Sequence, residues 1–172
     1  MTAANSQNTE WIAVDWGTTN LRAWIMGVGG SVLVEVQSDK GMGALRRKEF
    51  EPALLSLIEP YLSLGRQTPV LCCAMVGARQ GWAEAKYKRV PCDPPNGDHA
   101  TQVAAKDPRL SVFVLPGIQQ DKPADVMRGE DTQIAGLLRK DKDFDGVVCL
   151  PGTPTKWAHI SAGEVVSFRT FM

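Results

Sequence analysis

Long apolar runs are absent from this chain of 172 residues. None approaches the roughly 18–20 consecutive apolar residues that a membrane-spanning helix needs. Charge of one sign is missing too: nineteen Lys and Arg face nineteen Asp and Glu. Divided at residue 90, the chain carries 10 basic and 8 acidic residues before the cut and 9 and 11 after it. Neither half has the one-signed field that nucleic acid or an anionic membrane calls for, so neither is an expected partner. Soft metal ligands are scarce. The histidines are His99 and His159, and the four cysteines, at 72, 73, 92 and 149, include no CxxC pair. That excludes the usual zinc spacings and a secreted disulfide framework. Cys72, Cys73 and Cys149 lie in apolar runs and read as small core residues. The opening MTAANSQNTE lacks the basic and apolar parts of a secretory signal, so the expected location is cytoplasmic.

What is present is an ordinary globular balance, 44% hydrophobic and 22% charged, at a length that suits one domain or one with part of a second. After a polar leader over residues 1–10, Trp11 to Trp16, Leu21 to Met26 and Ser31 to Gln37 read as three successive antiparallel strands. The GVGG between the last two suits a connection with positive φ. Glu49 to Leu64 has helical spacing, with Pro60 set to shorten its end. Val70 to Met75 and Val112 to Leu115 read as buried strands, giving an α/β alternation after the opening meander. The Pro- and Gly-rich stretch at 83–99 reads as an exposed excursion. Residues 129–139 read as a helix with acids in its first turn and Arg139 at its end.

The last segment repeats the plan of the first. Gly146 to Leu150, Lys156 to Ser161 and Val165 to Phe171 read as strands joined by PGTPT and Ala162-Gly163. The expected organisation is a first domain over 11–144 and, from 145 to 172, the opening meander of a second domain that is left incomplete. An uncovered apolar face at Val165, Val166, Phe168 and Phe171 would then favour self-association through this segment.

Two Gly-Thr turns carry the chemistry. In DWGTTNLR, Gly17 lets the backbone approach a phosphate, while Thr18, Thr19 and Asn20 offer amides and hydroxyls. Asp15, at the strand end, suits a hydrated magnesium ion. The turn PGTPTKW places Gly152, Thr153, Thr155 and Lys156 after another apolar strand.

These segments, together with MVGARQGWAEAKY, VMRGEDTQIAGLL and the closing LPGTPTKWAHISAGEVVSFRTFM, resemble the 2-dehydro-3-deoxygalactonokinases. That family belongs to the sugar-kinase, heat-shock-protein 70 and actin superfamily, and the resemblance covers about residues 11–172. It implies an actin-like (ribonuclease H-like) fold whose two domains hold ATP and Mg2+ across a cleft. It also implies phosphorylation of 2-dehydro-3-deoxy-D-galactonate at its terminal 6-hydroxyl, in D-galactonate catabolism. The family's second turn usually reads PGTHSKW; here Pro154 removes an amide donor and Thr155 keeps a hydroxyl. Family members are longer than this chain, so a non-catalytic domain that binds the sugar acid is the alternative expectation.

A sugar acid needs a cation for its carboxylate and a flat face for its carbons. The resemblance puts Gly77, Arg79, Gln80 and Trp82 in that role, with Gly43 as a further wall. Glu130 and Asp131, after Gly129 at a helix start, are the candidates for the base that takes the hydroxyl proton. Arg128 beside them could neutralise a carboxylate or the phosphate. The runs at 86–89 and 139–145 read as solvated faces.

Overall fold

The computed structural model describes residues 7–172. Residues 1–6 of the expected leader lie outside the described residues. Within its remainder Thr9 is buried, and the Glu10 amide donates to the Met26 carbonyl at 2.7 Å, so the chain is held just before the first strand.

Strands β1 (Trp11–Trp16), β2 (Leu21–Met26) and β3 (Val32–Ser38) form the antiparallel meander, joined after β2 by a short turn in which Gly29 and Gly30 take positive φ. Helix α1 (Phe50–Ile58) follows. It stops well before Leu64, because Pro60 lacks the amide that another turn requires, and Glu59–Tyr61 continues as a single 3-10 turn. β4 (Thr68–Cys73) and β7 (Leu110–Val114) run parallel to β1, and β6 (Thr101–Val103) closes the edge antiparallel to β7. The order is β3-β2-β1-β4-β7-β6. Side chains alternate across the sheet. Ile12, Val14, Trp16, Val70 and Cys72 are buried with Phe50, Leu54 and Ile58 of α1 in one core, whereas Asp15, Leu71 and Cys73 on the other face are half-buried. β4 is thus sealed on one face, not on both as its apolar run suggested.

The segment expected to be an exposed excursion carries structure. β5 (Tyr87–Arg89) lies parallel to β8 (Gly117–Asp121), which pairs antiparallel with β9 (Ala124–Met127). Cys92 makes an isolated antiparallel bridge to Val165. Helix α2 (Glu130–Lys140) and the meander β10 (Gly146–Leu150), β11 (Thr155–Ser161) and β12 (Glu164–Phe171) complete the described chain.

A second core gathers Cys92, Ile118, Met127 and Ile134 with Leu150, Ala158, Ile160, Val165 and Phe168. It therefore reaches back across residue 145, and stripping the meander away would uncover Ile118, Met127 and Ile134. Val165 and Phe168, expected to lie open, are covered. The exposed apolar residues of the meander, Val147, Trp157 and Phe171, are on its outer face instead. Cys149 shares that face and is exposed, because the alternation that buries Leu150 turns Cys149 outward.

Two polar ties lock this core. The Gln120 amide nitrogen donates to the carbonyls of Pro123 and Phe168, and its oxygen accepts the Phe168 amide at 2.9 Å. Lys156 is also buried. Its Nζ donates to Asp125 Oδ1 at 3.1 Å, the Val126 carbonyl at 2.6 Å and Thr170 Oγ1 at 2.5 Å, joining β11 to β9 and β12. Replacing Lys156 by Met should therefore cost stability, roughly 3 kcal/mol, because Asp125 keeps its charge and loses its partner. Urea unfolding measures this; an unchanged midpoint would show that the lysine is not a structural tie.

Candidate functional site

On the half-buried face of the first sheet, Asp15 stands opposite Arg22 on β2 and beside Cys73 on β4. Arg22 Nη2 donates to Asp15 Oδ2 at 2.8 Å. The turn that follows is closed by the Gly17 amide on the Asn20 carbonyl at 2.9 Å, and Thr18, Thr19 and Asn20 are exposed.

A second loop braces this turn from behind. The amides of Gly41, Met42 and Gly43 donate to the carbonyls of Thr19, Gly17 and Thr18 at 3.1, 2.9 and 2.9 Å. A β-carbon on Gly41 would lie 2.2 Å from the Thr19 carbonyl carbon, so only glycine lets the two backbones come so close. With its carbonyls engaged behind, the turn leaves the side chains of Thr18, Thr19 and Asn20 exposed. Gly43 therefore braces the Gly-Thr turn and is not among the residues that line the cleft.

The second Gly-Thr turn faces the first. Pro151, Gly152, Thr153 and Pro154 line the same open cleft as Asp15, Gly17, Arg22 and Trp24, a space of about 480 Å³. Thr155 Oγ1 is turned inward and donates to the Gly152 carbonyl at 3.1 Å, closing the loop. Lys156 is committed to Asp125 and is not available to a phosphate. Of the four candidates in this turn, Gly152 and Thr153 reach the cleft.

The cleft floor is the start of α2 together with the end of β4. Arg128, Gly129, Glu130, Thr132 and Gln133 line it with Cys73, Ala74 and Met75. Gly129 has φ 112° and Ala74 φ 69°, and a β-carbon on Gly129 would lie 3.1 Å from that of Ala74, so the helix start and the strand end meet closely here. Glu130 Oε2 accepts the Arg128 amide at 3.1 Å while its side chain stays at the cleft.

Asp131 is buried beneath. Its Oδ1 accepts the amides of Gly129 and Thr132, each at 2.8 Å, whereas Oδ2 has no partner. Burial pushes this carboxyl up to about 6, against the opposing pull of those two amides. Burial, with Asp15 adding to it, likewise pushes the Cys73 thiol up to about 12, so Cys73 is no thiolate nucleophile at neutral pH.

The expected sugar residues are not gathered at this cleft. Arg79 and Gln80 are exposed on a loop outside its lining, and the Arg79 carbonyl accepts from Arg47 at 3.1 Å. Trp82 belongs to the first core, stacked on Phe50 with ring centroids 6.2 Å apart and edge-on to Trp16 at 6.1 Å. An indole placed just after a buried strand can fold back into the core it leaves, and this one does. Gly77 lies against the Arg128 guanidinium. Arg22 and Trp24, by contrast, were not anticipated at the cleft. The hairpin register held the signal, because Arg22 pairs with Asp15 and Trp24 with Ala13, on one face of the sheet.

The comparisons with known proteins agree with one another. The family profile described as 2-keto-3-deoxy-galactonokinase matches residues 15–172. A protein of Rhizobium meliloti (strain 1021) named as a probable 2-dehydro-3-deoxygalactonokinase is 38% identical over 163 residues, covering 93% of this chain and 52% of that protein. The 2-dehydro-3-deoxygalactonokinase of Escherichia coli (strain K12) is 33% identical over 165 residues, covering 94% and 53%. A crystal structure of a candidate 2-dehydro-3-deoxygalactonokinase from Sinorhizobium meliloti superposes with a TM-score of 0.84 at 37% identity, over 94% of this chain and 53% of that one. The chain spans about half the length of the relatives it matches.

The buried Asp131 gives the site a pH signature. A carboxyl raised from its usual value to about 6 contributes stability that is fully present below about pH 4 and is lost as the pH rises through 6. Asp131→Asn keeps an acceptor for Gly129 and Thr132 and cannot ionise. The variant should gain on the wild type by about 2 kcal/mol between pH 4.5 and 7.5. Thermal unfolding at both pH values checks this; a constant difference would mean that Asp131 titrates normally.

Proposed function

The chain belongs to the 2-keto-3-deoxy-galactonokinase family, and from that membership and the cleft geometry we propose that it acts in phosphoryl transfer from ATP to the 6-hydroxyl of 2-dehydro-3-deoxy-D-galactonate. Such a step would serve D-galactonate catabolism. The observation that carries the reading is the convergence of Asp15 and Gly17 at the first Gly-Thr turn, Gly152 and Thr153 of the second, and the acidic start of α2 on one cleft. The sheet order β3-β2-β1-β4-β7-β6, a meander followed by parallel strands, supports an actin-like architecture for the first core. A second, partial actin-like unit opening with the β10–β12 meander is part of the same proposal. No helix among the described residues is long and apolar enough to cross a membrane, which suits a cytoplasmic enzyme acting on a small soluble acid.

In this reading the exposed Thr18, Thr19 and Asn20, with Gly17, meet the ATP phosphates from one side, and Gly152 and Thr153 meet them from the other. Asp15 is the one carboxylate at the end of β1. That donor set fits Mg2+, which usually takes one or two carboxylates and fills its shell with water and phosphate oxygens. Bound there, the ion would neutralise charge on the phosphates. Arg22, now on Asp15, would be free to turn to a phosphate oxygen.

Glu130 is the cleft-facing carboxylate and accepts the 6-hydroxyl proton as the new O–P bond forms and the bond to the departing ADP breaks. Asp131 holds the helix start that presents Glu130. Arg79, Gln80 and Trp82 play no direct part in this arrangement, and recognition of the acid falls to groups at the cleft itself.

The experiment is a coupled assay of ADP formation that depends on the sugar acid. Glu130→Gln should lower kcat by about 10²-fold or more with nucleotide affinity unchanged. Asp15→Asn should raise the magnesium concentration needed for half-maximal rate. Nucleotide binding by the wild type without any acid-dependent ADP formation would reduce the chain to a binding domain and refute the proposal.

A further inference from the structure

Arg128 is a buried cation with no carboxylate in ion-pair contact among the described residues, although its charge acts on the nearby Asp131. It is 9% exposed, lies at the end of β9 and lines the cleft. Nη2 donates to the Ala85 carbonyl at 2.8 Å, and the guanidinium lies over the Tyr87 ring, 4.3 Å from its centroid. Nε and Nη1 are buried and have no hydrogen-bond partner. Glu130, the nearest acid in sequence, accepts from the Arg128 main chain and not from its side chain. The other cation of the cleft, Arg22, already has Asp15.

An unpaired charge shut away from water is costly, and so is each buried donor without an acceptor. The fold nevertheless makes room for this one. A β-carbon on Gly77 would lie 2.7 Å from Arg128 Nη1, so the glycine leaves the space that the guanidinium occupies. Its anchors, Ala85 and Tyr87, and the glycine that accommodates it all belong to the 77–87 segment and to neither Gly-Thr turn.

We propose that Arg128, seated in the space that Gly77 leaves for its guanidinium, recognises the carboxylate of the acid substrate and so sets the preference for a sugar acid over a neutral sugar. The inference rests on the kinase reading above, which supplies the acid. Its chemistry is that of the fork. Whichever of its two protons Nη2 gives to Ala85, the other lies parallel to an unpartnered N–H on Nε or on Nη1, so one complete two-pronged face is left without a protein acceptor. A planar carboxylate matches that face with two parallel, charge-assisted bonds. The Tyr87 ring holds the guanidinium flat, and the flexible stem lets its head meet the incoming anion at the cleft wall.

Calorimetric titration of the full chain tests this with three probes: 2-dehydro-3-deoxy-D-galactonate, its uncharged methyl ester, and a non-hydrolysable ATP analogue with magnesium. The wild type should bind the acid at least about tenfold more tightly than the ester. Arg128→Lys keeps a charge and loses the fork. It should lose about tenfold for the acid, with the ester and the nucleotide analogue within about twofold of wild type.

Equal wild-type affinity for acid and ester overturns the proposal, as does no acid binding at all, and neither result depends on a variant folding. Parallel losses for acid and nucleotide in a folded Arg128→Lys protein would assign the residue to the phosphates or the scaffold, and overturn it too. The kinase reading fails separately. Selective acid binding without ADP formation would refute the kinase reading and uphold Arg128, whereas ADP formation with no preference for acid over ester would do the reverse.

Discussion

The cleft depends on one junction, where the start of α2 meets the end of β4. Gly129 and Ala74 touch there because both take backbone conformations that turn the chain sharply, and Arg128 crosses the same boundary to the Ala85 carbonyl. The first core, under α1, ends at this line, and the second, built on α2 and the meander, begins at it. The strain of a positive φ at a residue with a side chain, of order 1 kcal/mol or more, is what the close approach requires at Ala74.

The junction also divides the chemistry. A free helix start attracts anions, and α2 would be an obvious phosphate cradle were its first amides free. Two amides there are already engaged, because Asp131 Oδ1 takes those of Gly129 and Thr132. In the proposed reaction the floor supplies a carboxylate, Glu130, and the exposed hydroxyls of the opposing turns meet the phosphate oxygens. Lys156 belongs to neither role. Its charge is enclosed by Asp125, Val126 and Thr170, so the second turn is neutral and rigidly mounted.

Much of the frame could be read before any coordinates. The meander, the α/β alternation, α2 and the closing three strands followed from periodicity and from Gly and Pro positions. The family followed from its motifs in order. β8 and β9 were missed because GIQQD and ADVM are short and too polar to alternate visibly. The site was legible in its backbone elements and less so in its side chains. Both Gly-Thr turns and the acidic helix start are visible as local elements, because glycine and capping positions constrain the chain locally; their roles belong to the proposed function. Trp82, Lys156 and Thr155 make contacts that their sequence patterns did not suggest, for a common reason. Each is a group suited to a ligand that found a partner inside the protein, and partner choice is decided by tertiary packing that a local pattern does not encode. Cys149 erred in the other direction: an apolar run does not say which of its residues faces out.

That outward thiol has a practical side. Among the described residues Cys149 is the exposed cysteine; Cys72 and Cys92 are buried, and Cys73 is held protonated by its surroundings. A maleimide dye added at neutral pH would thus attach chiefly at one place on the native chain, on the outer face of the meander and outside the cleft lining. Trp157 sits directly across from it on β11. Dye and indole would form a built-in optical pair, and the quenching of one by the other would report whether the second core stays folded while ligands come and go elsewhere.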